Sequence, residues 1–285
     1  MSNKIIFDII ILVINLEKKI IKIAFFDIDG TLTNSKKEIT KNTIDTLNKL
    51  IENNIYIVLC TGRINSYVTK YLKKINKSQY TISNNGALIY DNDLNKPIIK
   101  HALYENNLNY LWEYAIKTKS SFIINTIDNK YGNKFVKNND VIIINSLSEI
   151  KFDKLQIVIN NSNINIMKDL ESKINNTNLK VINRSFDYLN NVKDGYYFFD
   201  IVNGYVSKGN AINSLLKILN INKENSICFG DSINDISMFN SVGISVAMGN
   251  SIDELKNIAD YVTDTNDFDG ISNFFNEHIF KKNTK

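Results

Sequence analysis

The chain has 285 residues, of which 44% are hydrophobic, with 11 glycines, 1 proline, 2 cysteines, 2 histidines and a formal net charge of +4. Such a length and hydrophobic share allow one large domain or two modest ones with a buried core. The counts exclude a disulfide framework, a multi-cysteine zinc site and a histidine-rich metal cluster, and the mild positive charge forms no basic stripe of the kind that binds nucleic acid.

Residues 1–19 stand apart. Ile5 to Leu16 is almost wholly apolar, broken by Asp8 and followed by Glu17-Lys18-Lys19. As a helix this stretch would span about 18 Å, short of the ~30 Å hydrocarbon core of a bilayer. An accessory extension upstream of the domain is the favoured reading, and membrane contact through residues 5–16 is the weaker one. Two cysteines without a framework fit a reducing cytoplasm.

Ile21–Phe26 is a short apolar run that ends in Asp27-Ile28-Asp29-Gly30-Thr31, as a buried strand and its loop would. Thr40–Asn53 carries Ile44, Leu47, Leu50 and Ile51 at helical spacing. Ile55–Leu59 predicts a second strand, followed by Thr61-Gly62-Arg63; Tyr67–Ile75 predicts a helix and Tyr80–Ser83 a third strand. Alternation of this kind argues for a parallel α/β sheet. The middle reads differently. Ala87–Tyr90 and Ile98–Leu103 suggest a hairpin, and Asn107–Lys119 and Ile164–Ile174 suggest helices. Phe122–Thr126, Val141–Ile144, Leu155–Asn160, Val181–Ser185 and Tyr196–Val202 suggest strands. This is an α+β block. After about residue 204 the alternation returns, with helices at Lys208–Leu219, Ile233–Asn240, Asp253–Ala259 and Ile271–His278. Strands at Ser226–Phe229, Ile244–Ala247 and Tyr261–Val262 lie between them. One domain inserted into another would produce this order.

Four polar clusters fall at the ends of predicted core strands, where open α/β sheets bind ligands. Asp27 and Asp29 sit one residue apart, so one carboxylate can attack while the other handles a proton. Thr61-Gly62 offers a hydroxyl and backbone N–H groups for phosphate oxygens. Lys208 opens a helix and can neutralise a phosphoryl group. Asp231, Asn234 and Asp235 follow another strand, and Asp27 with Asp231 could supply hard oxygen ligands to Mg²⁺. Each element alone has an ordinary explanation, as an acidic turn, a loop or a helix cap. Their order and shared location change the balance.

The chain resembles the haloacid dehalogenase superfamily, and within it the Cof-like phosphatases. Asp27-Ile28-Asp29-Gly30-Thr31-Leu32, Cys60-Thr61-Gly62-Arg63, Ser207-Lys208-Gly209 and Gly230-Asp231-Ser232-Ile233-Asn234-Asp235 are similar to its four motifs, in order. The resemblance implies an α/β fold: a Rossmann-like parallel-sheet catalytic core (20–85 and 201–285) with an inserted α+β cap (86–200) that selects the substrate. It implies that Asp27 attacks phosphorus to form an aspartyl-phosphate, while Asp29 protonates the leaving alcohol and then activates water. Thr61, Gly62, Lys208 and Asn234 would hold the phosphate. Mg²⁺ would sit on Asp27, Asp29 (through its backbone carbonyl) and Asp231, with Asp235 in support. The expected function is a Mg²⁺-dependent phosphatase of small phosphorylated metabolites, sugar phosphates or related compounds. A phosphosugar mutase of the same superfamily is the alternative, and a non-catalytic phospho-ligand sensor is a more distant one.

Overall fold

The computed structural model describes residues 20–75, 78–175, 177–184 and 195–280. The apolar stretch at 5–16 lies outside them. Two sheets organise the chain. In the first, β1 (Ile23–Asp27), β2 (Tyr56–Cys60) and β3 (Tyr80–Ser83) are joined by α1 (Lys41–Glu52) and α2 (Asn65–Leu72). Thr40 caps α1: its hydroxyl accepts from the Thr43 N–H at 3.2 Å, and Leu47 and Leu50 carry the buried face. After Gly86 the chain folds back as β4 (Leu88–Asp91) and β5 (Lys96–Lys100), both antiparallel to their neighbours. The single proline, Pro97, lies on β5 at the sheet edge, where an absent N–H costs least.

The second sheet follows. It comprises α3 (Glu105–Thr118), β6 (Ser121–Asn125), β7 (Lys130–Gly132), β8 (Ile142–Ile143), β9 (Gln156–Asn161), α4 (Ile164–Ile174), β10 (Leu179–Arg184) and β11 (Tyr197–Asn203). The chain then re-enters the first sheet through α5 (Lys208–Ile218), β12 (Ser226–Gly230), α6 (Ile236–Phe239), β13 (Ile244–Ala247), α7 (Asp253–Ile258), β14 (Tyr261–Val262) and α8 (Gly270–His278). Strand order is β14-β13-β12-β1-β2-β3-β4-β5 in the first sheet and β10-β11-β9-β6-β7-β8 in the second. Among the described residues no helix is long and apolar enough to cross a membrane.

The first sheet is buried on both faces, which explains why β1 and β2 are apolar without alternation. Ala24, Phe26, Ile57, Leu59 and Phe229 face α1, α2 and α8. Ile23, Phe25, Val58, Cys60 and Cys228 face α5, α6 and α7. Both cysteines are free and fully buried. β1 lies between β2 and β12, the point where successive connections run to opposite sides, so its carboxyl end opens on a crevice.

Two sequence expectations shift. The hairpin at 88–100 belongs to the first sheet, not to the inserted block starting at 86, because its strands pair with the otherwise open edge of β3. The block also runs past residue 200, since β11 extends to Asn203. β7, three residues long with Tyr131 and Gly132, is too short to leave a periodic signal.

Candidate active site

Asp27 is the last residue of β1 and is 6% exposed. Register sets it level with Cys60 of β2, and sets Phe26 level with Phe229 of β12. The loops that begin at Thr61 and Asp231 therefore leave the sheet beside it. Gly30 makes the turn after β1 at φ +90°, and a β-carbon there would overlap the Asp231 carboxylate. Asn250 Nδ2 donates to the Gly30 carbonyl at 2.8 Å and Thr31 Oγ1 to Asp231 Oδ1 at 2.7 Å.

Lys208 is 1% exposed at the first position of α5, behind the Ser207 cap, whose hydroxyl accepts from Asn210 N–H at 3.0 Å. A cation at a helix N-terminus opposes the helix dipole. Two carboxylates offset this: Lys208 Nζ donates to Asp27 Oδ1 at 2.5 Å and to Asp235 Oδ1 at 2.7 Å. Burial disfavours its charge, but Asp235 and Asp27 outweigh that and hold the ammonium well above its usual range. Asp235 has a second task. Its Oδ2 accepts from the backbone N–H groups of Asp231 and Ser232, both at 3.0 Å, which fixes the turn that carries Asp231.

Asp27, Asp231 and Asp235 each bring a carboxylate oxygen within 4.8 Å of the other two. Burial raises Asp27 well above the usual carboxylate range; Lys208 opposes that, and Asp235 and Asp231 add to it. Burial and then Asp235 push Asp231 up to about 7, against the Thr31 hydrogen bond. Clustered like charges of this kind fit a hard divalent cation, for which oxygen donors are the preferred ligands. Asp235 is already committed to Lys208 and two N–H groups, which leaves Asp27 and Asp231 as the side chains able to hold the ion.

The Asp29 carboxylate does not join that group. It turns outward to Lys37 Nζ at 3.0 Å and Arg63 Nε at 3.1 Å. Burial would raise its pKa, but Arg63 and Lys37 bring it below the usual value. Arg63 also lies 5.0 Å from the Tyr67 ring centroid. Thr61 is 2% exposed; its hydroxyl accepts from Arg63 N–H at 3.1 Å, so its own proton points elsewhere. Gly62 faces Asn85, whose amide would stand 3.0 Å from a β-carbon at that position. Asn234 Nδ2 donates to Asn85 Oδ1 at 3.0 Å, and Asn234 Oδ1 accepts from Ser232 Oγ at 2.6 Å.

Sequence reasoning left three residues here without a role. Lys37 gives no signal beyond a surface lysine. Asn85 stands in the Asn84-Asn85-Gly86 turn, where both asparagines have positive φ and are fully buried. Asp200 is the one charge in the β11 run Phe198-Phe199-Asp200-Ile201-Val202, and a charge inside a strand is the signal that could have found it.

A family model described as haloacid dehalogenase-like hydrolase matches residues 24–275. The 5-amino-6-(5-phospho-D-ribitylamino)uracil phosphatase of Bacillus subtilis (strain 168) is 27% identical over 253 residues, covering 88% of this chain and 93% of that protein. The crystal structure of a haloacid dehalogenase-like hydrolase from Bacteroides thetaiotaomicron matches with a TM-score of 0.79 at 25% identity, over 90% of this chain and 99% of that one. A sugar phosphatase of haloacid dehalogenase subclass IIB matches with a TM-score of 0.74 at 26% identity, over 90% and 98% of the two chains.

Proposed function

This chain belongs to the haloacid dehalogenase-like hydrolases and is a phosphatase, and from that premise we propose that it hydrolyses small phosphate monoesters with Mg²⁺ through a covalent Asp27 intermediate. One observation carries the reading: a buried carboxylate at the switch point of the sheet, with an ammonium 2.5 Å away and a second carboxylate, Asp231, beside it.

In this reading an Asp27 oxygen attacks phosphorus and the bond to the leaving oxygen breaks. Asp29 gives that oxygen a proton, then takes one from the water that displaces phosphate from Asp27. Two anions must approach each other, so charge neutralisation dominates the barrier. Lys208 supplies a fixed positive charge beside Asp27. Bound Mg²⁺, held by Asp27, Asp231 and the Asp29 carbonyl, would add Lewis-acid stabilisation of the phosphoryl oxygens. The Thr61 hydroxyl, the Gly62 N–H and Asn234 are suited to orient the phosphate, with Asp235 in support. Lys37 and Arg63 keep Asp29 ionised and in place, so proton donation requires that these pairs loosen as the substrate enters. The inserted sheet acts as the cap that selects the leaving group, with sugar phosphates as the leading substrate class. A cytoplasmic location belongs to the same proposal.

p-Nitrophenyl phosphate tests the reading. Turnover should require Mg²⁺ and stop on chelation. Asp29→Asn should slow release of phosphate and let phospho-enzyme accumulate in acid-quenched samples; normal hydrolysis by that variant would remove the proton-transfer role of Asp29.

A further inference from the structure

Ile157, Ile159, Phe199 and Ile201 of the inserted sheet pack with Leu108, Leu111 and Ala115 of α3 and Met167 and Leu170 of α4. Alternation along each strand sends their neighbours to the other face. Register puts Asp200 beside Val158 and Asn183, and Gln156 beside Asn125. Among the described residues this second face carries no helix. Its lower end meets the first sheet: Val202 packs with Ala87, Leu88 and Val206. Asn65 N–H donates to the Ile127 carbonyl at 2.9 Å, and β10 packs against the 233–235 turn. This face therefore ends above the loops that carry Thr61, Asn85 and Asn234, and Gln156 and Asn125 are buried there.

The polar groups on that face share one character. Asn183 Nδ2 donates to Asp200 Oδ2 at 3.5 Å. Burial, opposed by Asn183, Gln156 and the charge of Arg63, raises the Asp200 carboxyl to about 6. Gln156 Oε1 and Asn125 Oδ1 have no hydrogen-bond partner, although the residues are only 1% and 5% exposed. A buried acceptor without a donor is costly, and here two stand next to each other and to a carboxylate. The two amide oxygens lack a donor, and the bond that Asp200 accepts from Asn183 is long. Arg63, whose charge acts on Asp200, also pairs with Asp29, which ties this strip to the reacting centre.

We propose that Asp200, Gln156 and Asn125 form a specificity-determining strip that accepts hydrogen bonds from the hydroxyl groups of the leaving alcohol, so that the enzyme selects phosphate monoesters of polyhydroxylated carbon chains or rings over those of plain alcohols. This rests on the phosphatase reading above and adds the residues that discriminate. A site built to bond a hydroxyl rejects an analogue without it, because the acceptors are then left unpaired.

The test compares kcat/KM for propyl phosphate with the better of sorbitol 6-phosphate and glucose 6-phosphate, on the full-length protein. The wild type should favour the polyol ester by at least about tenfold. Asp200→Asn and Gln156→Leu should each lower that ratio by about tenfold, as expected for lost hydrogen bonds to a buried acceptor. Asn160→Ala, at the far end of the same face, should leave the ratio within about twofold. An unchanged ratio in both strip variants, or no wild-type preference, would overturn the proposal. So would a preference for phosphoethanolamine, which would make the strip an ammonium site. Wild-type inactivity toward every ester, p-nitrophenyl phosphate included, would count against the phosphatase reading itself. Titration calorimetry of the same esters would then still read the strip, and equal binding of polyol and propyl phosphates would dismiss it.

Discussion

The two sheets solve different problems with the same strands. The first buries both faces under helices and presents chemistry only at its strand ends, where Asp27, Thr61 and Asp231 leave the core on short loops. The second buries one face against α3 and α4 and carries polar side chains on the other, with Asp200 inside β11, Gln156 at the start of β9 and Asn125 at the end of β6. The charged groups at the strand ends of the first sheet are saturated with partners: Lys208 with two carboxylates, Asp235 with three donors, Asp29 with two cations. Neutral polar groups are not: Gln156 Oε1 and Asn125 Oδ1 on the second sheet have no partner, and neither do Ser83 Oγ, Asn84 Oδ1 and Asn85 Nδ2 at the end of β3. A site that must hold one geometry for every substrate gains from full satisfaction, since preorganisation removes reorganisation cost. A surface that must recognise a particular leaving group needs acceptors still able to form bonds.

The sharpest way to break this contrast is at Asp27. Asp27→Asn should lower turnover by about 10⁴-fold or more whatever the leaving group, as loss of a nucleophile does elsewhere. An effect that depended on the leaving group would merge the two regions. Next comes packing. Phe122, fully buried against Trp112 in the second sheet, should cost about 3–5 kcal/mol when replaced by alanine, read as a shift in the urea midpoint. If turnover of p-nitrophenyl phosphate is lost under conditions where this variant is folded, the two sheets do not divide labour as described.

A third test concerns pH and the metal. Asp231, raised to about 7, holds a proton in the folded chain that the unfolded chain, at ~3.9, has released. Its contribution to stability is therefore present at low pH and is lost as the pH rises through about 7. A cation at that carboxylate must displace the proton, at about 1.4 kcal/mol for each pH unit below the pKa. Mg²⁺ should raise the thermal midpoint more at pH 8 than at pH 6; equal increments would remove Asp231 from the metal site. The smallest effect lies outside both regions. Thr40→Ala should cost about 1 kcal/mol through loss of the α1 cap, and should leave both turnover and the polyol preference in place.

Much of the first sheet was legible from short patterns. The short runs Ile21–Phe26, Ile55–Leu59 and Ser226–Phe229 announce buried strands, and helical spacing at Ile44, Leu47, Leu50 and Ile51 announces α1. The second sheet was legible as a block, because short strand-like runs such as Phe122–Thr126, Leu155–Asn160 and Tyr196–Val202 follow one another there. The boundary between the two was not. Whether the 88–100 hairpin pairs with β3 or with the inserted strands depends on which edge is free, and that is a property of the assembled sheet. The helix expected over Ile233–Asn240 is a 3₁₀ turn and a four-residue helix, because Asp235 folds back on the N–H groups of Asp231 and Ser232.

At the site, the sequence by itself determined which chemical groups stand at the strand ends and in what order, because a strand followed by its loop is a local pattern a few residues long. It also contained the anomaly at Asp200, a charge in an apolar strand. Only the tertiary structure decided the partners. Lys208 meets Asp27 across 181 positions and Asp231 meets Thr31 across 200. Arg63 turns to Asp29 across 34, and Asp200 faces the charge of that same arginine from the other sheet. Spacing within one element dictates which residues share a face; which face meets which is set by the packing of both sheets at once, and no local periodicity encodes that.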